Sequence, residues 1–590
     1  MSIVAISSGK EYVCFPMHQT CKTKPKMFRS KIGLEELHNL AAQLNFHELQ
    51  PQDAEDYLTI LRSLEAVMNT IDEAPDYIPS ALKPQATISA RHFWKPKEVD
   101  NPFNAWSHQC NLKAESLETG LLTGRTIAIK DNIPVGGLPT TIGLPASAFA
   151  TNSYTLSPID ATVVSRILAA GATIKGTTTC ESYCASPLSF TAASGLVHNP
   201  RLRGYTTGGS SSGSAALVAA HGLALTESGH WGDTAELAIG SDQAGSVRVP
   251  ASFNGLYGLK PTFGLVPYTG VGSMSSMIDY LGPMAAKLED IAVLLEVMAG
   301  YDGLDPRMTP ESPLRDNVKP YSQLLAAQRQ HNINQSEPGR KLKVGILKES
   351  FSMPGVVEDV RETITRNATQ YFGIVGCSVV EVSVPMHTDG PSIWTATTRP
   401  SMSSSLCKGK TLGSLAYLPP HTELKWPPSQ QTYDDLTALN PGVTNIMLSE
   451  LFCADHMKPS LQAKATRKVF ELREAYDRAL DEVDVLVAPC TPTVAMPHPP
   501  SSSEDGSVPR ILKRLESAIG LTSNTCPFNV TGHPALSVPC GRLPAETAPE
   551  TLLPVGMQII GRRWADDEVI VAAALFERGR ELFMGTKKSS

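Results

Sequence analysis

The chain has 590 residues, 42% of them hydrophobic and 18% charged, with a formal net charge of −7. That length and apolar fraction can bury a large core, and the acidic balance, with no basic run interleaved with aromatics, speaks against a nucleic-acid partner. No apolar run reaches the roughly 18 residues a membrane span needs, and no basic, apolar leader opens the chain, so the cytoplasm is the expected compartment. The cysteines number 11 and show neither CxxC nor Cys/His metal spacing, which predicts buried thiols in a reducing environment.

Residues 1–30 lack periodicity and read as a loose arm. Leu34, Leu37, Leu40 and Leu44 then recur at helical spacing. A second helix opens at Pro51 and carries Leu58, Leu61, Leu64 and Met68 on one face. The pair predicts a helical hairpin that braces the core or makes a dimer contact. Residues 79–120, rich in Pro, Asn and aromatics, read as an extended wrap. Residues 125–130 form a short β-prone run ending in Lys130, and 160–171 read as a helix capped by Asp160 and closed by Gly171. A strand follows at 172–176, and this alternation argues for an α/β sheet. Cys180 and Cys184, four apart, are expected on one helix.

Residues 214–220 read as a short helix of small residues stopping near Gly222, and 225–236 as a surface loop before a strand at 237–239. A helix is expected over 288–299. Residues 301–450 look less regular, a variable excursion that forms a lid or pocket wall. A long helix over 460–482 leads into a buried strand at 485–487. Strands at 535–538 and 554–561 and a final helix over 567–581 complete the chain.

Two Gly/Ser clusters stand out. The first is Gly208-Gly209-Ser210-Ser211-Ser212-Gly213-Ser214 and the second Gly240-Ser241-Asp242-Gln243-Ala244-Gly245-Ser246. A phosphate cradle would explain glycine-rich loops, but GxxxxGK[ST] is absent and no acidic partner follows. A nucleophile elbow is formally satisfied with Ser211 as nucleophile and His533 as its base, but that leaves the second cluster unexplained. A third arrangement uses both clusters and a lysine. A serine needs a base, and a lysine serves when burial disfavours its charged form; Lys130 ends an apolar strand, where such a lysine would be presented.

On these residues the sequence resembles the amidase signature enzymes. The likeness rests on Ala128-Ile129-Lys130-Asp131-Asn132, on both clusters, on Val247-Arg248-Val249-Pro250-Ala251 and on Gly258-Leu259-Lys260-Pro261-Thr262. Leu281-Gly282-Pro283-Met284 and Pro554-Val555-Gly556-Met557-Gln558 extend it. It is most similar to the broad-specificity amidases of nitrile-degrading bacteria. The resemblance implies an α/β fold with a large mixed sheet flanked by helices on both faces and an N-terminal helical extension. It also implies an arm and hairpin over 1–100, and a catalytic domain over 101–590 that includes the 301–450 excursion.

The implied activity is hydrolysis of a small carboxylic amide to acid and ammonia through an acyl-enzyme. Ser246 would be the nucleophile, Ser210 a bridging serine at a cis peptide, and Lys130 the base. The oxyanion hole would use N–H groups of Gln243, Ala244, Gly245 and Ser246, with Ser211 lining the site. Asp242 and Arg248 would hold the loop. No metal or cofactor is called for, and the partners implied are the amide substrate and a second copy of the chain through its N-terminal helices. An amidotransferase subunit, an esterase or carbamate hydrolase, and a catalytically weak amide-binding homologue are the alternatives. Two departures from the family pattern bear on these roles. Ala244 stands where a glycine is usual, and Ser210 and Ser246 are 36 positions apart, with the excess in 225–236.

Overall fold

The computed structural model describes residues 30–588 apart from 31, 47, 88–89, 116–118, 334–340, 411–419 and 501–508. The expected arm, except for Ser30, lies outside the described residues. The chain divides into two compact units, Met1–Pro79 and Ser80–Ser590.

The first unit contains α1 (Leu34–Gln43) and α2 (Pro51–Asp72), the latter opening on a proline whose missing N–H costs nothing at that position. Leu37, Ala54 and Leu58 form its small core, with Ile32, Leu49 and Leu61 packed against it. Leu64 and Met68, expected on the same face as Leu58, are exposed. The long helix carries two apolar stripes, and the hairpin buries only one.

The second unit is built on a mixed sheet. Its strands begin with β1 (Phe93–Trp94), β2 (Trp106–Leu112), β3 (Thr126–Lys130) and β4 (Thr173–Thr178), while β5 (His198–Asn199) and β6 (Leu202–Thr206) pair separately. Next come β7 (Leu237–Ser241), β8 (Tyr257–Lys260), β9 (Leu281–Ala285), β10 (Lys343–Leu347) and β11 (Ser378–Val382). The last are β12 (Val485–Pro489), β13 (Ala535–Pro544) and β14 (Leu552–Ile560). Across the sheet the order is β1-β2-β4-β3-β7-β9-β8-β13-β14-β12-β10-β11. Strands β4, β3 and β7 run parallel at one centre, and β12, β10 and β11 at the other. Antiparallel β9, β8, β13 and β14 join the two groups.

Helices cover both faces. On one, α3 (Thr162–Ala169), α5 (Leu288–Met298) and the helices Glu358–Ile374 and Asp566–Lys588 contribute to the largest core cluster. On the other, α4 (Ser212–Ala224) packs against β3 and β7. A strand covered on both faces reads as a continuous apolar run, which is why Ile127, Ala128 and Ile129 are all fully buried.

The structure corrects several local expectations. Asp160 caps nothing: Ala161 precedes α3 without a side-chain cap. Its carboxylate instead accepts from Arg91 through two bonds of 2.7 Å and from the Gly136 N–H at 2.8 Å. Helix α4 runs through Gly222 to Ala224, because burying its small-residue face outweighs a glycine penalty of about 1 kcal/mol. The 301–450 stretch is not irregular. It holds β10 and β11, which extend the sheet beyond β12.

Close approach explains the glycine at the start of α4. A Cβ on Gly213 would lie 2.2 Å from the Ala105 carbonyl oxygen and 2.8 Å from the Thr179 nitrogen. Gly213→Ala is therefore expected to destabilise the protein by about 1–3 kcal/mol through overpacking, although alanine is the better helix former. A chemical-denaturation midpoint at or above the parent value would contradict this packing.

Candidate active site

The parallel pairing of β3 with β7 sets Ile129 against Ile239, so Lys130 and Ser241 leave the sheet side by side at the carboxyl ends of their strands. Ligands of open α/β sheets bind outside such ends. Lys130 is fully buried, and its Nζ donates to Ser210 Oγ at 2.8 Å and to Ser241 Oγ at 2.8 Å. Asn132 Nδ2 donates to the same Ser241 Oγ at 3.1 Å. Between them, Asp131 turns inward and accepts from Ser107 Oγ at 2.7 Å and from the Thr141 N–H and hydroxyl. Burial raises its pKa to about 6.

The peptide bond between Gly209 and Ser210 is cis. Ser246 lies against this segment, its carbonyl accepting the Ser211 N–H at 3.3 Å. The Ser246 side chain forms no hydrogen bond among the described residues, and the residue keeps 8% exposure where Lys130 and Ser210 have none. Lys130 thus meets Ser210 through its side chain, and Ser246 reaches the same segment through its backbone. Ser211, expected to line the site, is instead fully buried and donates to the Ser241 carbonyl at 3.4 Å, bracing the floor. His533, the base an elbow at Ser211 would need, is bonded to Thr531 and Asp477.

The loop 242–246 is held by one ion pair. Arg248 Nε and Nη2 each donate to the Asp242 carboxylate at 3.0 Å, both side chains being fully buried. Asn529 Nδ2 adds a bond of 2.8 Å, and the N–H groups of Gly245 and Val247 add two more, at 2.7 and 3.2 Å. Burial opposes the charge on Asp242, but Arg248 and Asn529 outweigh it and hold its pKa at about 2. Gly245 has φ +134°, and a Cβ there would lie 2.4 Å from Thr525 Oγ1. Its N–H, expected in the oxyanion hole, is committed to Asp242. The N–H groups of Gln243, Ala244 and Ser246 have no hydrogen-bond partner among the described residues.

Two side chains from distant segments, one of them a tryptophan, pin carbonyls of this loop. Trp394 Nε1 donates to the Gln243 carbonyl at 3.0 Å, and Thr525 Oγ1 to the Ala244 carbonyl at 2.5 Å. In a planar trans peptide, fixing the carbonyl fixes the opposed N–H, so Trp394 aims the N–H of Ala244. Ala244 itself lies outside the left-handed region, so alanine in place of the usual glycine costs no backbone strain. The 225–236 segment clips the sheet edge: the Asp233 carbonyl accepts from Trp106 Nε1 at 2.9 Å and its carboxylate pairs with Lys175 at 3.1 Å.

Glu181 was missed in the sequence. Fully buried, it accepts from the Thr191 N–H at 2.7 Å, Thr191 Oγ1 at 2.6 Å and Ser212 Oγ at 2.8 Å. Its own N–H donates to the Ser210 carbonyl at 3.4 Å. Burial pushes its pKa to about 7 against these bonds. A cavity of about 570 Å³ opens beside the site, with Asn132, Ile142, Tyr183, Gln243, Met274 and Trp426 in its wall.

Lys130 thus stands bonded to Ser210 and Ser241 at the carboxyl ends of parallel strands of a large mixed α/β sheet. The chain belongs to the Amidase family, whose profile matches residues 103–570. It is 34% identical over 492 residues to an enantioselective amidase of Rhodococcus rhodochrous, covering 82% of this chain and 85% of that one. It is 32% identical to a glutamyl-tRNA(Gln) amidotransferase subunit of Methanosarcina barkeri, covering 78% and 86%. Among solved structures, the peptide amidase of Stenotrophomonas maltophilia superposes with a TM-score of 0.58 at 26% identity, covering 78% of this chain and 83% of that one.

Two expectations follow from the buried carboxylates. Arg248→Met leaves Asp242 charged and unpaired and should cost about 3–5 kcal/mol, read as a lowered denaturation midpoint; an unchanged midpoint would rule out the clamp. Between the ordinary value of 4.5 and about 7, the folded chain keeps a proton on Glu181 that the unfolded chain has released. Stability therefore falls as pH rises through that window. Glu181→Gln should flatten this part of the curve, measured as urea midpoints at about pH 5 and about pH 7.5.

Proposed function

We propose that the chain hydrolyses a carboxylic amide to the acid and ammonia through an acyl-enzyme on Ser246. The reading is carried by the 2.8 Å contact between Lys130 Nζ and Ser210 Oγ beside Ser246. Ser246 Oγ attacks the amide carbonyl while its proton passes to Ser210 Oγ and that of Ser210 to Lys130 Nζ. The oxyanion is met by the N–H groups of Gln243, Ala244 and Ser246, each such donor being worth about 100-fold or more in rate. Collapse returns the proton through Ser210 to the departing nitrogen. Water then repeats the sequence and releases the acid.

The Gln243 side chain supports a place for the substrate. Its Nε2 donates to Tyr268 Oη at 2.9 Å, which leaves Oε1 buried without a partner in the cavity wall. That oxygen suits a substrate amide N–H. The cavity favours amides with an aromatic or branched acyl group over the smallest aliphatic ones. An ester or carbamate could use the same acyl chemistry, and a substrate panel ranks them. A second reading, the ammonia-releasing subunit of an amidotransferase, is favoured by the 32% identity to such subunits; co-purification with partner subunits would select it.

For assembly we propose a homodimer through the first unit. Tyr57, Ile60, Leu64, Val67 and Ile71 follow the alternating three- and four-residue spacing of a coiled-coil seam, and all are exposed.

Ser246→Ala and Lys130→Ala should each lower ammonia release by about 1000-fold or more, and full activity in purified Ser246→Ala would sink the assignment. Trp394→Phe keeps the ring and removes the donor, so kcat should fall more than KM changes. Leu64→Asp should turn a dimer into a monomer in analytical ultracentrifugation without loss of activity per chain.

A further inference from the structure

Cys180 and Cys184 have no part in the proposed hydrolysis, yet their arrangement is specific. They do not share a helix. Cys180 lies two residues beyond β4, and Cys184 ends a single turn in which both Tyr183 and Cys184 are left-handed, at φ +53° and +56°. Non-glycine residues rarely take that conformation, and it clusters at functional sites. The turn doubles back until the two sulfurs stand 4.0 Å apart.

The two thiols differ in access. Cys184, 7% exposed, belongs to the wall of the 570 Å³ cavity, while Cys180 sits behind it with no exposure. They also differ in acidity. The hydrogen bond they share pulls Cys184 below the ordinary thiol value against the effect of burial, with help from Lys130. The same contact and burial push Cys180 up. Asp131 and Glu181 face the pair and act against the charge on Cys184. A low-pKa, reachable thiol beside a second, protonated one is the arrangement of redox-active cysteine pairs.

We propose that Cys184 and Cys180 form an oxidisable thiol pair in the wall of the substrate cavity, with hydroperoxides as the reagent class. The Cys184 sulfur attacks the terminal peroxide oxygen and breaks the O–O bond. Cys184 becomes a sulfenic acid, and the other oxygen leaves as an alcohol, or as water from hydrogen peroxide. The Cys180 thiol then attacks the Cys184 sulfur, forming the disulfide and expelling the hydroxyl as a second water. Two thiols lose two electrons and two protons, and the peroxide takes them up.

Closing the bond brings the sulfurs to about 2 Å, roughly half their present separation. The Cys184 N–H donates to the Glu181 carbonyl at 2.7 Å, and the Glu181 N–H and carboxylate hold Ser210 and Ser212. The disulfide therefore pulls on the segment that carries Ser210. The covalent step is independent of the proposed amide hydrolysis; its effect on rate rests on the role proposed for Ser210.

The test treats the purified full-length protein with hydrogen peroxide, alkylates remaining thiols with a maleimide, and examines the tryptic peptide 176–201, which contains both cysteines. The expected peptide is two hydrogens lighter and unalkylated, and dithiothreitol reverses the change. Ammonia release should fall by about 100-fold, the loss that a misplacement of about 1 Å produces, and recover with the thiols. Cys180→Ser should keep its basal activity, form no disulfide in this peptide, and stop at a Cys184 sulfenic acid that dimedone traps. A peptide that still takes two maleimides after peroxide treatment overturns the proposal, whether or not the chain hydrolyses amides. A disulfide that forms with unchanged ammonia release overturns the coupling to Ser210.

Discussion

The site depends on one buried amine. Lys130 has no exposure, and its nitrogen is satisfied by two hydroxyls from different parts of the chain. A buried polar group without partners costs more than a hydrogen bond returns, so the positions of Ser210 and Ser241 are constrained together. The register of β3 on β7 supplies Ser241. The packing of α4 against β3 and β7 supplies Ser210, which precedes that helix by two residues. Sheet register and helix docking are thus coupled through a single side chain.

The loop before Ser246 meets a different constraint. Three of its N–H groups find no partner among the described residues, which requires a backbone that cannot relax to satisfy them itself. The buried Asp242–Arg248 pair prevents that relaxation, with Asn529, Gln558 and the Thr525 carbonyl completing the partners of Arg248. Trp394 and Thr525 pin the two intervening carbonyls from opposite parts of the chain.

The features carried by local composition were legible in the sequence. The mixed α/β sheet, the helices on both faces and the strand ending in Lys130 follow from residues close together in the chain, whereas Lys130, Ser210 and Ser246 stand far apart in it and are linked only by the family resemblance. Contacts set by tertiary packing were not legible. Ser241 and Asn132 stand inside the quoted motifs, but nothing in their spacing says that one hydroxyl receives both Lys130 and Asn132. Trp394, Thr525 and Glu181 come from segments with no motif of their own. The commitment of Gly245 to Asp242 is a fact of geometry that a row of small residues conceals. Local rules also failed where burial overrode them: the buried Asp160 gave up a helix cap for Arg91, and Gly222 did not stop α4.

The strand order has a consequence for how the protein is made. The lysine and both serines belong to strands and loops complete by residue 254, and so does the Asp242–Arg248 pair, but the groups that fix Arg248 from outside lie between Thr525 and Gln558. Those groups arrive through β13 pairing with β8, where Leu536 meets Leu259 from far earlier in the chain, and through β14 pairing with β12, where Ile560 meets Leu486. Domains fold as units during synthesis, and long-range pairings form last. A chain still emerging from the ribosome holds Lys130, Ser210 and Ser246 before the frame around them exists, and that frame closes only once the segment from Thr525 to Gln558 has been made and has paired.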